Sequence, residues 1–446
     1  MKKNLTEGSV FKTILSFSMP YLLSYFLQTL YGMADLFIIG QFNGVESTTA
    51  VSIGSQVMHM ITVMIVGLAM GSTVIIGQAV GAKRNDEASD AIGNTISLFA
   101  IAAILLTAGL LFLVNPIVSA MSTPQEAVQG TAKYLTVCFI GIPFIIAYNV
   151  ICSIFRGMGD SKSPMYFVAV ACVANIALDY LFVGAFHMET LGVALGTTIS
   201  QAISVVISLV FILHRKTGIS LKSANLQPKK VMMGKLLKIG VPVSLQDGFI
   251  QISFLIITLF ANQRGLNDAA AVGIVEKVIA ILFLVPSSML STVSALAAQN
   301  IGAGKHDRAR QVLRYAIILA VSFGAISTIT MQFAAEPVVA LFADSSKEVI
   351  HLGGQYMRGY VWDCILAGIH FCFSGYFCAC GRSEISFIHN CISILCTRIP
   401  LSYFAAKYFS DTLFPMGLAP AVGSALSILI CIAVYIRLSK QRNTNI

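Results

Sequence analysis

Long apolar stretches, separated by short polar breaks, run along nearly the whole chain. A helix crossing the hydrocarbon core of a bilayer needs about 20 mostly apolar residues, and twelve stretches satisfy that requirement. In the first half, helices are predicted near 14–39, 48–79, 88–115, 126–154, 162–185 and 190–214. In the second, they are predicted near 236–262, 268–299, 307–335, 347–378, 383–408 and 416–437. Several exceed the minimum, which allows tilt or ends that project into water. The pattern therefore predicts an all-α membrane protein with twelve transmembrane helices. The longest polar connection, 215–235, carries Lys, Ser, Asn, Gln and Pro228 and reads as a cytoplasmic linker. It separates an N-terminal six-helix bundle, 1–214, from a C-terminal one, 236–446.

The two halves repeat each other. Residues 77–88 read GQAVGAKRNDEA and residues 298–309 read AQNIGAGKHDRA. At an offset of 221, Gln78, Gly81, Ala82, Asp86 and Ala88 meet Gln299, Gly302, Ala303, Asp307 and Ala309. At 222, Pro20 meets Pro242, and Phe155, Gly159 and Ser161 meet Phe377, Gly381 and Ser383. Gly192-Val193-Ala194 is matched by Gly417-Leu418-Ala419. Ordered matches at nearly one offset indicate duplication. Each half has an even number of helices, so both begin on the same side. They are parallel repeats about an axis along the membrane normal, with a cavity expected between them.

Composition agrees with this picture. Hydrophobic residues make up 56% and charged residues 11%, against about 25% charged in a typical soluble domain. That deficit runs along the whole chain and excludes a large attached soluble domain. The net charge of +9 does not indicate nucleic acid, because the basic residues sit in connections between apolar segments. With a cytoplasmic N-terminus, 22 of the 29 Lys and Arg fall in inside segments, and only Arg264, Lys347 and Lys407 fall outside. That imbalance orients the chain, with both termini cytoplasmic. The start, Met1-Lys2-Lys3, lacks a cleavable signal pattern, so the first apolar segment reads as a retained helix. Ten scattered cysteines behave as small apolar residues. A soft metal site at His370, Cys372, Cys378, Cys380, His389 and Cys391 is the alternative, and the metal-free reading is favoured. No GxxxxGK[ST], HExxH or GxSxG occurs, which argues against nucleotide hydrolysis by a phosphate loop and against those hydrolase chemistries. No cofactor is expected.

Ionisable residues inside spans are costly and mark function by default. The first half holds two such acids, Asp35 in helix 1 and Asp179 in helix 5. Asn175 lies one turn before Asp179 on the same helix face, and Thr197 lies early in helix 6. Counted from the outer helix ends, Asp35, Asp179 and Thr197 are about 4, 6 and 7 residues deep, one layer at a rise of about 1.5 Å per residue. No intramembrane base lies at that depth, since Lys133 is near an interface and can snorkel. Two poorly solvated carboxylates cannot both ionise cheaply and are expected to titrate as a unit. A proton, Na⁺ and a cationic substrate would compete for that negative charge, which is the basis of antiport. A polar cluster that only holds helices 1, 5 and 6 together is the bland alternative.

The second half holds Asp247, Glu276 and Asp363 together with Lys277, Arg358 and Arg398. Three acids and three bases can neutralise one another, so structural ion pairs are expected there, with a substrate role for Glu276 or Asp363 as the alternative. The small-xxx-small runs at Gly67–Gly71, Gly77–Gly81 and Gly192–Gly196 read as close helix packing. Pro143 and Pro286 are expected to kink helices 4 and 8, and His59 to be a satisfied core histidine.

With these motifs in place, the chain resembles the MATE (multidrug and toxic compound extrusion) family over nearly its whole length. The resemblance rests on the paired ends of helices 2 and 8 and on Ala34-Asp35-Leu36-Phe37-Ile38-Ile39-Gly40. It rests also on Phe155-Arg156-Gly157-x-Gly159-Asp160 and Gly192-Val193-Ala194-Leu195-Gly196-Thr197. It implies a V-shaped pair of six-helix bundles alternating between inward- and outward-open states, and antiport of H⁺ or Na⁺ against lipophilic, often cationic organic compounds. It also implies a multi-pass protein of a prokaryotic cell membrane. The family's N-half cation site maps onto Asp35, Asn175, Asp179 and Thr197. The family's helix 7 glutamate is missing, because its place is Ile250 or Gln251, and Asp247 lies a turn early. That departure points to the DinF-like or MepA-like branches. A lipid-linked flippase of the same superfamily is the alternative; it would want a basic cavity, which Arg358 and Arg398 leave open and for which the first half offers no comparable arginine. A membrane enzyme would need a nucleophile or metal constellation, and the sequence offers none.

Overall fold

The computed structural model describes residues 5–214, 222–343 and 346–443. Twelve helical spans can be numbered in chain order. The first six are α1 (Val10–Phe42), α2 (Val45–Gly81), α3 (Asn85–Phe112), α4 (Gln125–Ile140 with Ile142–Gly157), α5 (Lys162–Ala185) and α6 (Glu189–His214). The second six are α7 (Lys230–Arg264), α8 (Leu266–Gly302), α9 (His306–Ala340), α10 (Lys347–Ala379), α11 (Ser383–Tyr408) and α12 (Phe414–Lys440). The all-α, twelve-span expectation holds. Two predicted ends stop well short, at the start of α7 and the end of α9. Lys230 and Lys235, and Glu336 with Pro337, lower the local hydropathy without ending the helix.

The spans are interrupted at related places. In α4 the axis bends by 49° at Gly141. Pro143, in the first turn of the following segment, lacks the N–H that would carry the helix through. α10 breaks at Val361, 220 residues later, between Tyr360 and Trp362. α8 breaks at Phe283, three residues before Pro286. α5 ends in a π-helical turn, Tyr180–Ala185, and α11 contains another, Ile394–Arg398. Such insertions frequently occur at functional sites.

The chain divides into two compact units, one built on Ser16–Ser244 with Gly302–Gly304, the other on Leu245–Ile301 and Lys305–Ile446 with Glu7–Leu15. The first core gathers Ile38, Val51, Leu135, Phe139, Ile142 and Val183. The second gathers Ile257, Val272, Tyr356, Tyr360, Leu413 and Met416. Apolar side chains also cover outward faces, among them Ile104, Val173, Phe333 and Leu429, as lipid solvation allows.

Glycines explain why the start of α7 belongs to the first unit. A Cβ on Gly71 would stand 2.2 Å from the Leu236 carbonyl oxygen, and one on Gly240 would stand 2.2 Å from that of Leu68. α2 and α7 therefore cross backbone to backbone, the packing expected of a small-residue stretch. Of the expected linker, residues 215–221 lie outside the described residues. The remainder forms a short 3₁₀ turn, Ser223–Leu226, before α7 begins at Lys230. That turn is fastened to α3. Asn225 Nδ2 and Lys229 Nζ donate to the two Asp90 carboxylate oxygens at 2.7 and 2.6 Å, and the Lys229 backbone N–H donates to Asn94 Oδ1 at 2.7 Å.

Candidate cation and substrate sites

In the first unit, α1, α5 and α6 bring the four sequence-predicted residues together. Asp35, Asn175 and Asp179 are all but fully buried. Thr197 Oγ1 donates to Asp35 Oδ2 at 3.3 Å. Asp179 and Asn175 stand beside the same carboxylate at the margin of hydrogen-bonding reach. No directed bond satisfies Asp35 Oδ1, either Asp179 oxygen or either polar atom of the Asn175 amide. Two ionised carboxylates have no proton to place between them, so the contact calls for a proton or a cation. Among the described residues, Tyr31, Tyr134, Cys138 and Cys172 also interact with Asp35 through space, and none of them is a base. The oxygens of two carboxylates, an amide and a hydroxyl form a hard donor set that suits H⁺ or a small hard cation such as Na⁺.

Gly196 makes this approach possible. A Cβ there would lie 2.0 Å from Asp179 Oδ1, so α6 can close on α5 at this level only where it carries no side chain. The sequence pattern assigns Gly192–Gly196 to helix packing, and that describes Gly192, where a Cβ would meet Phe182, Val183 and Met188 at 3.1–3.2 Å. Gly196 packs on the Asp179 carboxylate instead.

In the second unit, the expected mutual pairing of acids and bases is not found. Among the described residues, no contact ion pair joins Asp247, Glu276 or Asp363 to Lys277, Arg358 or Arg398. Arg358 bonds Glu336 at 3.1 Å, and its Nε donates to the Gln332 carbonyl. Lys277 is exposed. Asp247 has Gln246 beside it. Glu276 accepts from Thr258 at 3.1 Å. Asp363 has Ser424 beside it and feels Arg398 only through space. Arg398 lies near Glu276 and Asp363 but out of contact with either, its guanidinium taken by Tyr360 and Phe254, and counting charges does not capture that.

Arg398 borders a small cavity of about 40 Å³, walled by α7, α8, α10, α11 and α12. The histidines of the alternative metal site take serine partners. His389 bonds Ser374 and Ser427 at 3.0 and 3.2 Å, and His370 bonds Ser424 at 3.2 Å. Among the described residues, no three metal-ligating side chains converge.

The sequence model of the MatE family matches this chain twice, over residues 20–181 and 242–404. The chain belongs to the MatE family. The two matches begin 222 residues apart, the offset read from Pro20 and Pro242, so each half of this MatE protein is one copy of the family unit. "Probable multidrug resistance protein YoeA" of Bacillus subtilis is 27% identical, with 96% of this chain and 94% of that protein covered. "Multidrug export protein MepA" of Staphylococcus haemolyticus is 24% identical, with 85% and 83% covered. Among solved structures, a MATE protein in complex with MaL6 superposes with a TM-score of 0.92 at 21% identity, covering 99% of each chain. An outward-facing multidrug resistance MATE transporter gives 0.91 at 21% identity, with 98% of each covered. These similarities establish the MATE fold.

Two expectations for this MatE chain need correction. Arg156, one of the basic residues that the sequence places in an inside connection after helix 4, is buried at the end of α4, with its guanidinium 4.1 Å above the Tyr21 ring. The first half therefore does hold a buried arginine; the aromatic residue that receives it lies 135 positions away, so no local pattern announces it. His59 was expected in the core and instead lies exposed on α2. Its apolar neighbours in sequence gave no indication of which face it takes.

Proposed function

We propose that this chain is a secondary active exporter that exchanges H⁺ or Na⁺ for lipophilic, often cationic organic compounds by alternating access. Its place is the cell membrane of a prokaryote, with both termini in the cytoplasm. Coupling resides at Asp35 and Asp179, assisted by Asn175 and Thr197. The observation that carries this reading is the buried pair of carboxylates with no base beside it among the described residues. A cation entering from outside neutralises the pair, displaces a cationic substrate and favours return to the inward-open state. It can do so only because its affinity differs between the two states. Relatives named for multidrug export and multidrug resistance support the substrate class.

The test is dye efflux from vesicles, driven in turn by a pH gradient and by a Na⁺ gradient. Asp35→Asn keeps the side-chain shape and removes the charge. Its gradient-driven efflux of ethidium is expected to fall to background with the melting temperature unchanged. Efflux by this variant at the wild-type rate would defeat the assignment, and indifference of the native protein to both gradients with several cationic dyes would favour a flippase.

A further inference from the structure

The second-unit cavity is small, but part of its wall is polar. Asp363 and His370 come to it from α10, Arg398 from the π turn of α11 and Ser424 from α12. Three of these side chains each carry a buried atom with no hydrogen-bond partner: Asp363 Oδ1, His370 Nδ1 and Arg398 Nε. All three side chains are nine-tenths buried or more. Leaving such atoms unsatisfied is costly, and most so where the group is charged.

The neighbouring groups do not supply the missing bonds. Arg398 is held in place: its Nη2 donates to the buried Tyr360 hydroxyl at 2.7 Å, and its guanidinium lies 4.5 Å above the Phe254 ring. Ser424 stands 3.2 Å from His370 Nε2 and also beside Asp363, but a hydroxyl has a single proton to give. If that proton goes to His370, the neutral ring carries its own hydrogen on Nδ1, a donor. If it goes to Asp363, His370 donates from Nε2 and Nδ1 is a bare acceptor. The wall therefore asks for a partner that both donates and accepts. A small cation would satisfy Asp363 and meet the guanidinium; a halide would satisfy Arg398 and meet the carboxylate. Water serves both. The cavity of about 40 Å³ has room for about two or three water molecules, and polar cavities of this kind are wet where apolar ones stay dry.

We propose that this cavity is an internal hydration site, whose ordered waters join Asp363 of α10 to Arg398 of α11 as a water-separated ion pair and give His370 Nδ1 its partner. Bridging waters bond nearly as well as direct contacts and cost little to immobilise. They account for a unit that buries an acid and an arginine side by side without bringing them together. The site makes no use of the α1–α5–α6 cluster and does not depend on the transport reading.

The test is radiolytic hydroxyl-radical labelling of the detergent-purified full chain, read residue by residue by mass spectrometry. Radicals generated from a bound water oxidise the side chains that touch it, however deeply they are buried. The protein carries its own control. His389 is also fully buried, its ring centroid is 5.7 Å from that of His370, and both its nitrogens are taken by Ser374 and Ser427. It does not line the cavity. His370 is expected to be oxidised severalfold faster than His389. Local opening of the unit would expose both rings, so the ratio separates a bound water from fraying. Ala367→Val adds bulk at the cavity wall; it should bring His370 oxidation down to the His389 rate and lower the melting temperature, because displacing the waters strands both charges. Equal protection of the two histidines in the native protein would overturn the proposal, and so would unchanged His370 oxidation in a folded Ala367→Val. The native ratio decides even where the variant fails to fold.

Discussion

Gly196→Ala offers the sharpest test of the cation site, because it adds one methyl group at the point where α6 meets Asp179. The added Cβ would start 2.0 Å from Asp179 Oδ1 and 3.2 Å from its Cγ. Ordinary contact begins near 3.4 Å, so the carboxylate or the helix must move by about 1.4 Å. Either motion disturbs the cluster. If Asp179 turns away, it leaves Asp35; if α6 retreats, it breaks the Thr197–Asp35 bond, already long at 3.3 Å. Overpacking of this kind costs about 1–3 kcal/mol, offset by roughly 1 kcal/mol from the better helix propensity of alanine. A net loss of about 1 kcal/mol is therefore expected, together with loss of gradient-driven efflux. The decisive comparison adds Asp179→Ala. The double variant has no clash and keeps the propensity gain, so it should melt above Gly196→Ala while remaining inactive. Non-additivity of about 1 kcal/mol is what groups in contact show. Thermal melting in detergent and ethidium efflux from vesicles read the two effects separately. Wild-type efflux by Gly196→Ala, or a double variant no more stable than Gly196→Ala, would refute the role given to the glycine.

Two further outcomes follow from the structure. Arg264 is nearly buried, pairs with Asp268 at 2.8 Å and donates to the carbonyls of Ala406, Phe409, Ser410 and Thr412 around the end of α11; Arg264→Ala should destabilise the chain by about 3 kcal/mol, since it strands a charge and several carbonyls, and an unchanged melting temperature would count against this. Asp90→Ala should release the Ser223–Leu226 turn from α3, seen as faster amide exchange over 222–229, with a stability loss of at most about 1 kcal/mol because Lys229 is half exposed; exchange that stays at the native rate would show the turn to be held by other contacts.

The spans were legible because their signal is additive over some twenty residues, so a misplaced charge shifts an end without hiding a helix. The repeat was legible because Gly and Pro mark backbone geometry that both copies retain. The α1–α5–α6 cluster was legible for a related reason: an acid in a span is rare enough to be informative one residue at a time. What failed was any inference that needed rotation about a helix axis. Arg156 lies at the boundary where an arginine can turn outward to water or inward to Tyr21, and sequence position does not choose between them. Charge balance in the second half suggested pairing, yet Arg358 reaches Glu336 and Arg398 reaches Tyr360. Gly196 reads as packing in sequence, because a glycine opposite a carboxylate looks the same there as a glycine opposite a backbone.

The duplication gives these differences a common frame. At the offset of 222, Arg398 takes the place of Ile176, between Asn175 and Asp179, and the place of Asp35 falls to Ile257. The same step of the scaffold, the helix carrying the π turn, thus presents acids in one half and a cation in the other. The close approach of the last helix is kept in both. Gly196 admits Asp179, and a Cβ on Gly423 would stand 2.8 Å from Ser393 Oγ and 3.5 Å from Arg398 Cβ. The first half thus gathers buried carboxylates, whereas the second places Arg398 on its π-turn helix and Asp363 beside the break in α10. If coupling resides in the first unit as proposed, a lesion at Arg398 should spare the response of ethidium efflux to the driving gradient, and a lesion at Asp35 should abolish it.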